Sequence, residues 1–305
     1  MIGAIAVTIR HIRIFLEVCR TMNVTRAAEN LYMTQPAVSR SIHEIEQVYG
    51  VRLFERLNQR LYLTDSGRRM RAYAVHIVDT FDQMERELSD GDERGILRIG
   101  ASITLGNYDL PVLVQKMRQE KPQLRIQATV ANAGTLEEML LDNRLDIALI
   151  EGSVASDELV TEPFAQDKLL LILPPDHELT RKDAIFLSDL MRYDLLLREK
   201  GSSGRAFLNT VFESQGLTLS TASLISASFG QTFRITPIQL VRAVAASVGL
   251  SILPEKLVQN ALSGGLVVTR PIQDAPLLRV CHIVWHRNKY LSPSLLHLID
   301  LAKKG

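Results

Sequence analysis

Gln35, Ser39 and His43 recur at four-residue spacing, with Arg40 beside them. On a helix that spacing makes one compact polar strip. An amide, a hydroxyl, an imidazole and a guanidinium can read base edges in a duplex groove. Gln suits an adenine edge, Arg a guanine or a phosphate, and the ring of Pro36 can touch a thymine methyl. Val38, Ile42 and Ile45 repeat on the other side of the same stretch and must point inward. Arg56 and Arg60 follow a few residues later, placed to reach the backbone or the minor groove. A second group carries different chemistry. Ser102 and Thr104 stand between a strand end and a helix start, and Gly201, Ser202, Ser203, Gly204 and Arg205 open another helix. Hydroxyls beside the first free N–H groups of a helix face an anion favourably. Each group also has an ordinary alternative: a solvated charged surface for the first, two helix caps and a surface arginine for the second.

The elements around the first group form a recognisable unit. Ile12, Phe15, Leu16 and Cys19 share one face of a helix over 12–20, which makes Cys19 a small core residue. Asn23 or Thr25 caps a second helix whose Ala27 and Ala28 let helices approach closely. Thr34 or Gln35 caps a third, with Pro36 in its first turn and Gly50 at its end. Two short helices, a tight turn and a polar second helix make a helix-turn-helix. Leu61 and Leu63 alternate with Tyr62 and Thr64, and Asn58-Gln59 supplies a turn. The result is a two-stranded wing with Arg56 and Arg60 at its tip.

From Asp65 to about Asp90 the pattern predicts one long helix. Met70, Ala74, Ile77, Phe81, Met84 and Leu88 form an a/d seam, which needs a partner helix and so predicts dimerisation. The competing expectation is that this face packs on the chain's own body. Gly91–Gly95 reads as a hinge. Strand, helix, strand, helix, strand follow from Ile96 to Gly152, implying a parallel sheet. Further strands are expected in DKLLLILPP, YDLLLRE, GLSILPE and RVCHIVWHR, with helices over 105–120, 135–143 and 237–247, after the glycine loop at 201–204, and from Pro293 to Lys303.

The chain has 305 residues and a net charge of +1. Residues 1–72 hold eleven Arg, no Lys and six acids, which is +5, and the remainder is −4. A basic first quarter on a mildly acidic body suits a polyanion partner. Two cysteines, Cys19 and Cys281, make no disulfide framework and fit a reducing compartment. The first residues lack a charged n-region and a cleavage site, and no apolar run reaches about 18 residues, so a cytoplasmic chain without a transmembrane helix is expected. Catalytic and metal patterns fail one by one. His43-Glu44 lacks the second histidine of a zinc helix, since Gln47 stands there. GSSG is no phosphate loop, and no G-x-S-x-G elbow occurs. His282 and His286, and Asp142 and Asp146, read as structural or surface residues. No catalytic residue, metal ligand or cofactor is expected. A transport receptor would need a secretion signal and no basic wing, and an enzyme on a binding-protein fold would need an acid/base pair.

TRAAENLYMTQPAVSRSIHEIEQVYGVRLFERLNQRLYLTDSG resembles the DNA-binding domain of the LysR-type transcriptional regulators, through its alanine pair, Gln-Pro-Ala-Val-Ser helix, Leu-Phe-Glu-Arg stretch and Leu-Thr-x-x-Gly. LRIGAS, LDIALIEG and GLSILPE resemble the family's effector domain. The resemblance implies an α/β chain: a winged helix-turn-helix (1–66), a linker and dimerisation helix (67–91), and a two-lobed, periplasmic-binding-protein-like effector domain (92–305). Lobe I is expected over 96–165 and 271–305, lobe II over 166–270. It implies a homodimer or homotetramer that binds double-stranded promoter DNA, works with RNA polymerase and changes its grip when a small molecule fills the cleft. DNA contacts are implied at Thr34, Gln35, Pro36, Ser39, Arg40, His43, Arg56 and Arg60. Effector contacts fall at Ser102, Thr104, Gly201, Ser202, Ser203, Arg205 and Thr236. The chain departs from the family at two places. Ser203-Gly204 replace a Gly-Thr pair, and Ile238 stands where an acid is common. The first two effector segments look most like the branch that responds to small oxyanions.

Overall fold

Thr8 caps the first helix, which begins at Ile9, three residues earlier than the apolar spacing alone indicates. The computed structural model describes residues 6–58, 60–90, 95–198, 202–219 and 237–304. The Thr8 hydroxyl accepts from the His11 backbone N–H, while His11 Nδ1 accepts from the Thr8 N–H at 3.1 Å. This is a capping box with His in place of the usual Glu or Gln. Helix α1 (Ile9–Thr21), α2 (Val24–Asn30) and α3 (Gln35–Tyr49) follow, then strands β1 (Phe54–Leu57) and β2 (Arg60–Leu63) and the long helix α4 (Asp65–Asp90). Asn23, not Thr25, caps α2, accepting from the Arg26 N–H at 3.1 Å. Thr34 is the N-cap residue of α3, with no side-chain cap bond, and Gly50 closes that helix at φ +65°.

The described residues fall into two compact units, the first built on the chain up to Gly95 and the second on most of the chain from Ile96. Phe15, Val18, Ala27, Val38, Ile42, Ile45 and Leu53 fill the core of the first. Gly67 sits at the start of α4, where a β-carbon would lie 2.2 Å from the Leu53 carbonyl oxygen. Only glycine lets the helix begin that close to the wing, which explains the spacing from Thr64 to Gly67. Ala74 is 1% exposed and belongs to this same core. That corrects its place in the expected dimer seam: the apolar residues that α4 exposes are Tyr73, Ile77, Met84 and Leu88.

The second unit contains β3 (Ile96–Ala101), α5 (Ile103–Glu120), β4 (Arg125–Val130), α6 (Ala133–Leu141), β5 (Ile147–Glu151), β6 (Leu159–Leu173) and α7 (Leu187–Leu190). It continues with α8 (Ser203–Ser214), α9 (Pro237–Ala245), β7 (Ser251–Pro254), α10 (Glu255–Ser263), β8 (Val268–Arg270), β9 (Leu278–His286) and α11 (Pro293–Lys304). The sheet order is β4-β3-β5-β9-β6-β7, with β8 also on β6. Only β4, β3 and β5 are parallel; β9 and β6 run antiparallel. The parallel sheet expected from the alternation over Ile96–Gly152 is thus found in β3, β4 and β5, and the later strands join it antiparallel. Strand β6 starts at Leu159, eight residues before the expected Asp167, because a register shift between Pro163 and Ala165 absorbs the proline. Of YDLLLRE, the described residues 193–198 form no strand, only a bridge from Leu195 to Leu250, and Leu196 and Leu197 serve as core.

Two sets of apolar residues give this unit its two lobes. Leu97, Ile99, Ile147, Leu149, Ile283 and Leu298 centre one. Leu171, Leu187, Leu208, Phe212 and Leu250 centre the other, beside Leu240, Val244 and Val258. β6 serves both: residues up to Lys168 pair with β9, and from Leu169 they pair with β7 and β8. The partners of β6 thus change at 168/169.

Candidate nucleic-acid interface and ligand cleft

The polar strip of α3 follows from how its apolar side is used. Val38, Ile42 and Ile45 are buried, so Gln35, Arg40 and His43 are exposed and Ser39 half-buried. Gln35 Nε2 donates to Ser39 Oγ at 2.8 Å, which orders the two side chains before any partner arrives. Thr34, Gln35, Pro36, Ser39, Arg40 and His43 do not all face one way. Gln35 lines a groove with Arg56 and Arg60, Ser39 and His43 line a second with Arg56, and Thr34, Pro36 and Arg40 line a third. Arg68 and Arg71 add to the first groove, Arg52 to the second and Arg10 to the third. Sequence reasoning missed these four; their only signal is membership of the Arg-only basic stretch.

Arg56 pairs across the wing with Leu61, and Leu57 with Arg60, while Asn58 takes φ +50° at the turn. Arg40, Arg56 and Arg60 are exposed, and among the described residues none has an acidic partner. Glu46 explains how the wing keeps its place against α3. Its Oε1 accepts from the Leu53 N–H at 2.8 Å. The acid reads as an ordinary helix residue in sequence, but it fixes the two reading elements relative to each other.

In the second unit Ser102, Thr104, Ser202, Ser203 and Arg205 come together on one narrow cleft between the lobes. Its cavity of about 30 Å³ has room for one or two water-sized groups. Gly201 and Thr236 lie outside the described residues. Ser102 is the N-cap residue of α5 and Ser202 that of α8, yet neither side chain makes a cap hydrogen bond. Both helices therefore present N-termini to the cleft without consuming those hydroxyls. The Arg205 guanidinium is buried, and Nη1 donates to the Arg198 carbonyl at 3.1 Å.

Three charged residues in this part of the fold escaped sequence reasoning. Arg279 donates through Nε (2.9 Å) and Nη2 (2.6 Å) to Asp167 Oδ2, and through Nη1 to Ser203 Oγ at 3.3 Å. Glu151, at the end of β5, accepts from Ser203 Oγ at 3.2 Å and lies 3.8 Å from Arg279 Nη2. Burial pushes the Asp167 carboxyl above its usual range, against the pull of Arg279. Burial, reinforced by Glu151 and Asp167, pushes the neighbouring Cys281 thiol up to about 12. Asp167 and Arg279 meet because β6 and β9 are antiparallel and in register there, a pairing invisible to local pattern. Glu151 had one signal, an acid closing an apolar strand.

Asp142, Asp146 and His286 have structural partners, whereas His282 Nδ1 is buried without one among the described residues. Asp146 accepts from the Arg98 backbone N–H and guanidinium at 2.6 Å each. His286 Nε2 lies 3.4 Å from Glu158. No group of three or more His, Cys, Asp or Glu able to hold a metal occurs among the described residues. No helix among them is long and apolar enough to cross a membrane.

Residues 9–68 match the family model for the bacterial regulatory helix-turn-helix protein, lysR family, and residues 90–305 match the LysR substrate binding domain. The RuBisCO operon transcriptional regulator of Allochromatium vinosum is 32% identical over 290 residues, covering 94% of this chain and 93% of that protein. A full-length OxyR variant from Pseudomonas aeruginosa superposes with a TM-score of 0.67 at 23% identity, over 98% of this chain and 94% of its own. The Synechocystis CcmR regulatory domain in complex with 2-PG gives 0.60 at 20% identity, over 69% of this chain and 96% of that one.

Proposed function

We propose that this chain, which belongs to the LysR family of bacterial helix-turn-helix regulators, grips promoter DNA with α3 and the wing and changes that grip when a small molecule carrying an anionic group enters the cleft. The observation that carries the DNA half is the set of exposed guanidiniums, Arg40, Arg56 and Arg60, with no acidic partner among the described residues. An exposed cation that is not neutralised by its own protein is available to phosphate. Thr34, Gln35, Pro36, Ser39 and His43 supply the base-reading and positioning groups. The division into a DNA-binding part (1–66), a linker (67–91) and an effector part (92–305) belongs to the same reading. Two copies meet through the exposed Tyr73, Ile77, Met84 and Leu88 of α4. The protein works in the cytoplasm, on RNA polymerase at its promoter, and by binding rather than catalysis.

The anionic character of the ligand rests on five features of the cleft. They are two helix N-termini, the Ser102 and Ser202 hydroxyls not used as caps, and the buried Arg205. The CcmR domain bound to 2-PG supports a ligand in a domain of this fold. Retardation of promoter fragments tests the DNA half. Ser39→Ala with Arg40→Ala should lose site-specific retention while light scattering still reports the oligomer. A double variant that footprints like wild type rejects the assignment. For the cleft, Thr104→Val should weaken the change in footprint produced by any ligand found in a thermal-shift screen, and an unaltered response rejects that site.

A further inference from the structure

We infer that the cleft ligand is a small zwitterion, an amino group joined to a carboxylate, sulfonate or phosphonate, and that Glu151 reads the amino end; this rests on the proposal that the cleft is the effector site. Glu151 is 1% exposed, and its Oε1 receives no hydrogen bond among the described residues. Arg279 does not supply one: its nearest nitrogen is 3.8 Å away and already donates to Asp167. Ser102 Oγ, 3% exposed on the same cleft, also lacks a partner among the described residues. A buried carboxylate oxygen without a donor is an expensive vacancy for a hydrogen bond.

The ligand that fills it must bring a donor. Sulfate, a phosphate monoester in its dianionic form or a plain carboxylate offers only acceptors, and would set a second negative charge against Glu151. The formal charges around the cleft point the same way. Arg198, Arg205 and Arg279 line the cleft with Glu151, and Asp167 stands behind Arg279, so among the described residues positive charge exceeds negative by one, yet Glu151 remains a separate acidic point on the wall. Arg279 is held by Asp167, which leaves Arg205 and the helix N-termini for an anionic end and Glu151 for a cationic one. The narrow cavity favours a small ligand, and one of more than two heavy atoms has to widen the cleft as it enters.

Calorimetry on the full chain with matched probes tests this. L-alanine and propionate differ in one amino group, as do taurine and ethanesulfonate, and inorganic sulfate stands for the simple anion. Wild type should bind at least one amino-bearing probe about tenfold or more tighter than its deamino partner, a difference of about 1.4 kcal/mol. Glu151→Gln, close in shape but uncharged, should bring the two members of that pair within about threefold. Sulfate or a deamino probe binding wild type as tightly as its partner overturns the zwitterion and leaves the cleft site standing. Binding that persists in Ser102→Leu, or no binding by any probe, overturns both. Should Glu151→Gln not fold, the paired affinities of wild type decide alone.

Discussion

Arg56 and Arg60 end in solvent without an acidic partner among the described residues, whereas Arg279 is buried and held twice by Asp167. The side chain is the same; the surroundings assign it opposite work. On the wing the guanidinium stays hydrated and adds little to folding, so its charge is available to a phosphate. Inside the second unit the ion pair has been desolvated, and removing either partner strands the other. Exposed arginine here serves a partner molecule, and buried arginine serves the protein's own shape and its cleft.

Arg279→Met should break that contrast most visibly. It leaves Asp167 and Glu151 buried together, and urea unfolding should show a loss of about 3–5 kcal/mol. A loss under about 1 kcal/mol would mean the pair is solvated. Arg56→Ala with Arg60→Ala should leave stability within about 0.5 kcal/mol. Its effect should appear instead as weaker binding to every DNA sequence and a salt dependence shallower by about two counterions. If specificity changes while the salt slope holds, these arginines read bases rather than phosphates.

Helix α4, which meets solvent with apolar groups, allows a smaller test. Ile77→Asp with Leu88→Asp should halve the mass seen by light scattering, because charged groups on a seam cannot be paired there. An unchanged mass places the interface elsewhere. Smallest is the cysteine effect. Burial holds both Cys19 and Cys281 near about 12, above the ordinary thiol value of 9.0. The native state thus keeps protons that the unfolded state releases. The associated stability is present below about pH 9 and is lost as pH rises toward 12. At pH 8 a thiol reagent should label neither cysteine in the native chain and both after denaturation. Rapid labelling of either would show that its burial is transient.

The recognition helix could be read from sequence because its evidence is local. Val38, Ile42 and Ile45 set the inner face, and everything polar between them had one side left to occupy. Pro36 and Gly50 mark its ends by backbone chemistry alone. The long strand β6 was read only in its second half, because Pro163 looks like an interruption and the bulge that tolerates it exists only once β9 is in place. Asp167 and Arg279 lie 112 positions apart, and no periodicity links them. Ala74 fits a heptad as well as its neighbours do, yet the close approach of α4 to the first unit's core buries it. Of the cleft, the hydroxyls and Arg205 were readable as helix openings, while Glu151 needed the tertiary fold to show that its strand ends at a crevice.

Selection of bound fragments from the protein's own genome, with wild type and Ser39→Ala/Arg40→Ala side by side, tests the DNA-reading role of α3 most directly. Wild type should retain a few fragments at nanomolar affinity in about 0.15 M salt, and the variant should retain none of them above background. Uniform retention of all fragments by wild type, or the same few retained by the variant, would contradict it.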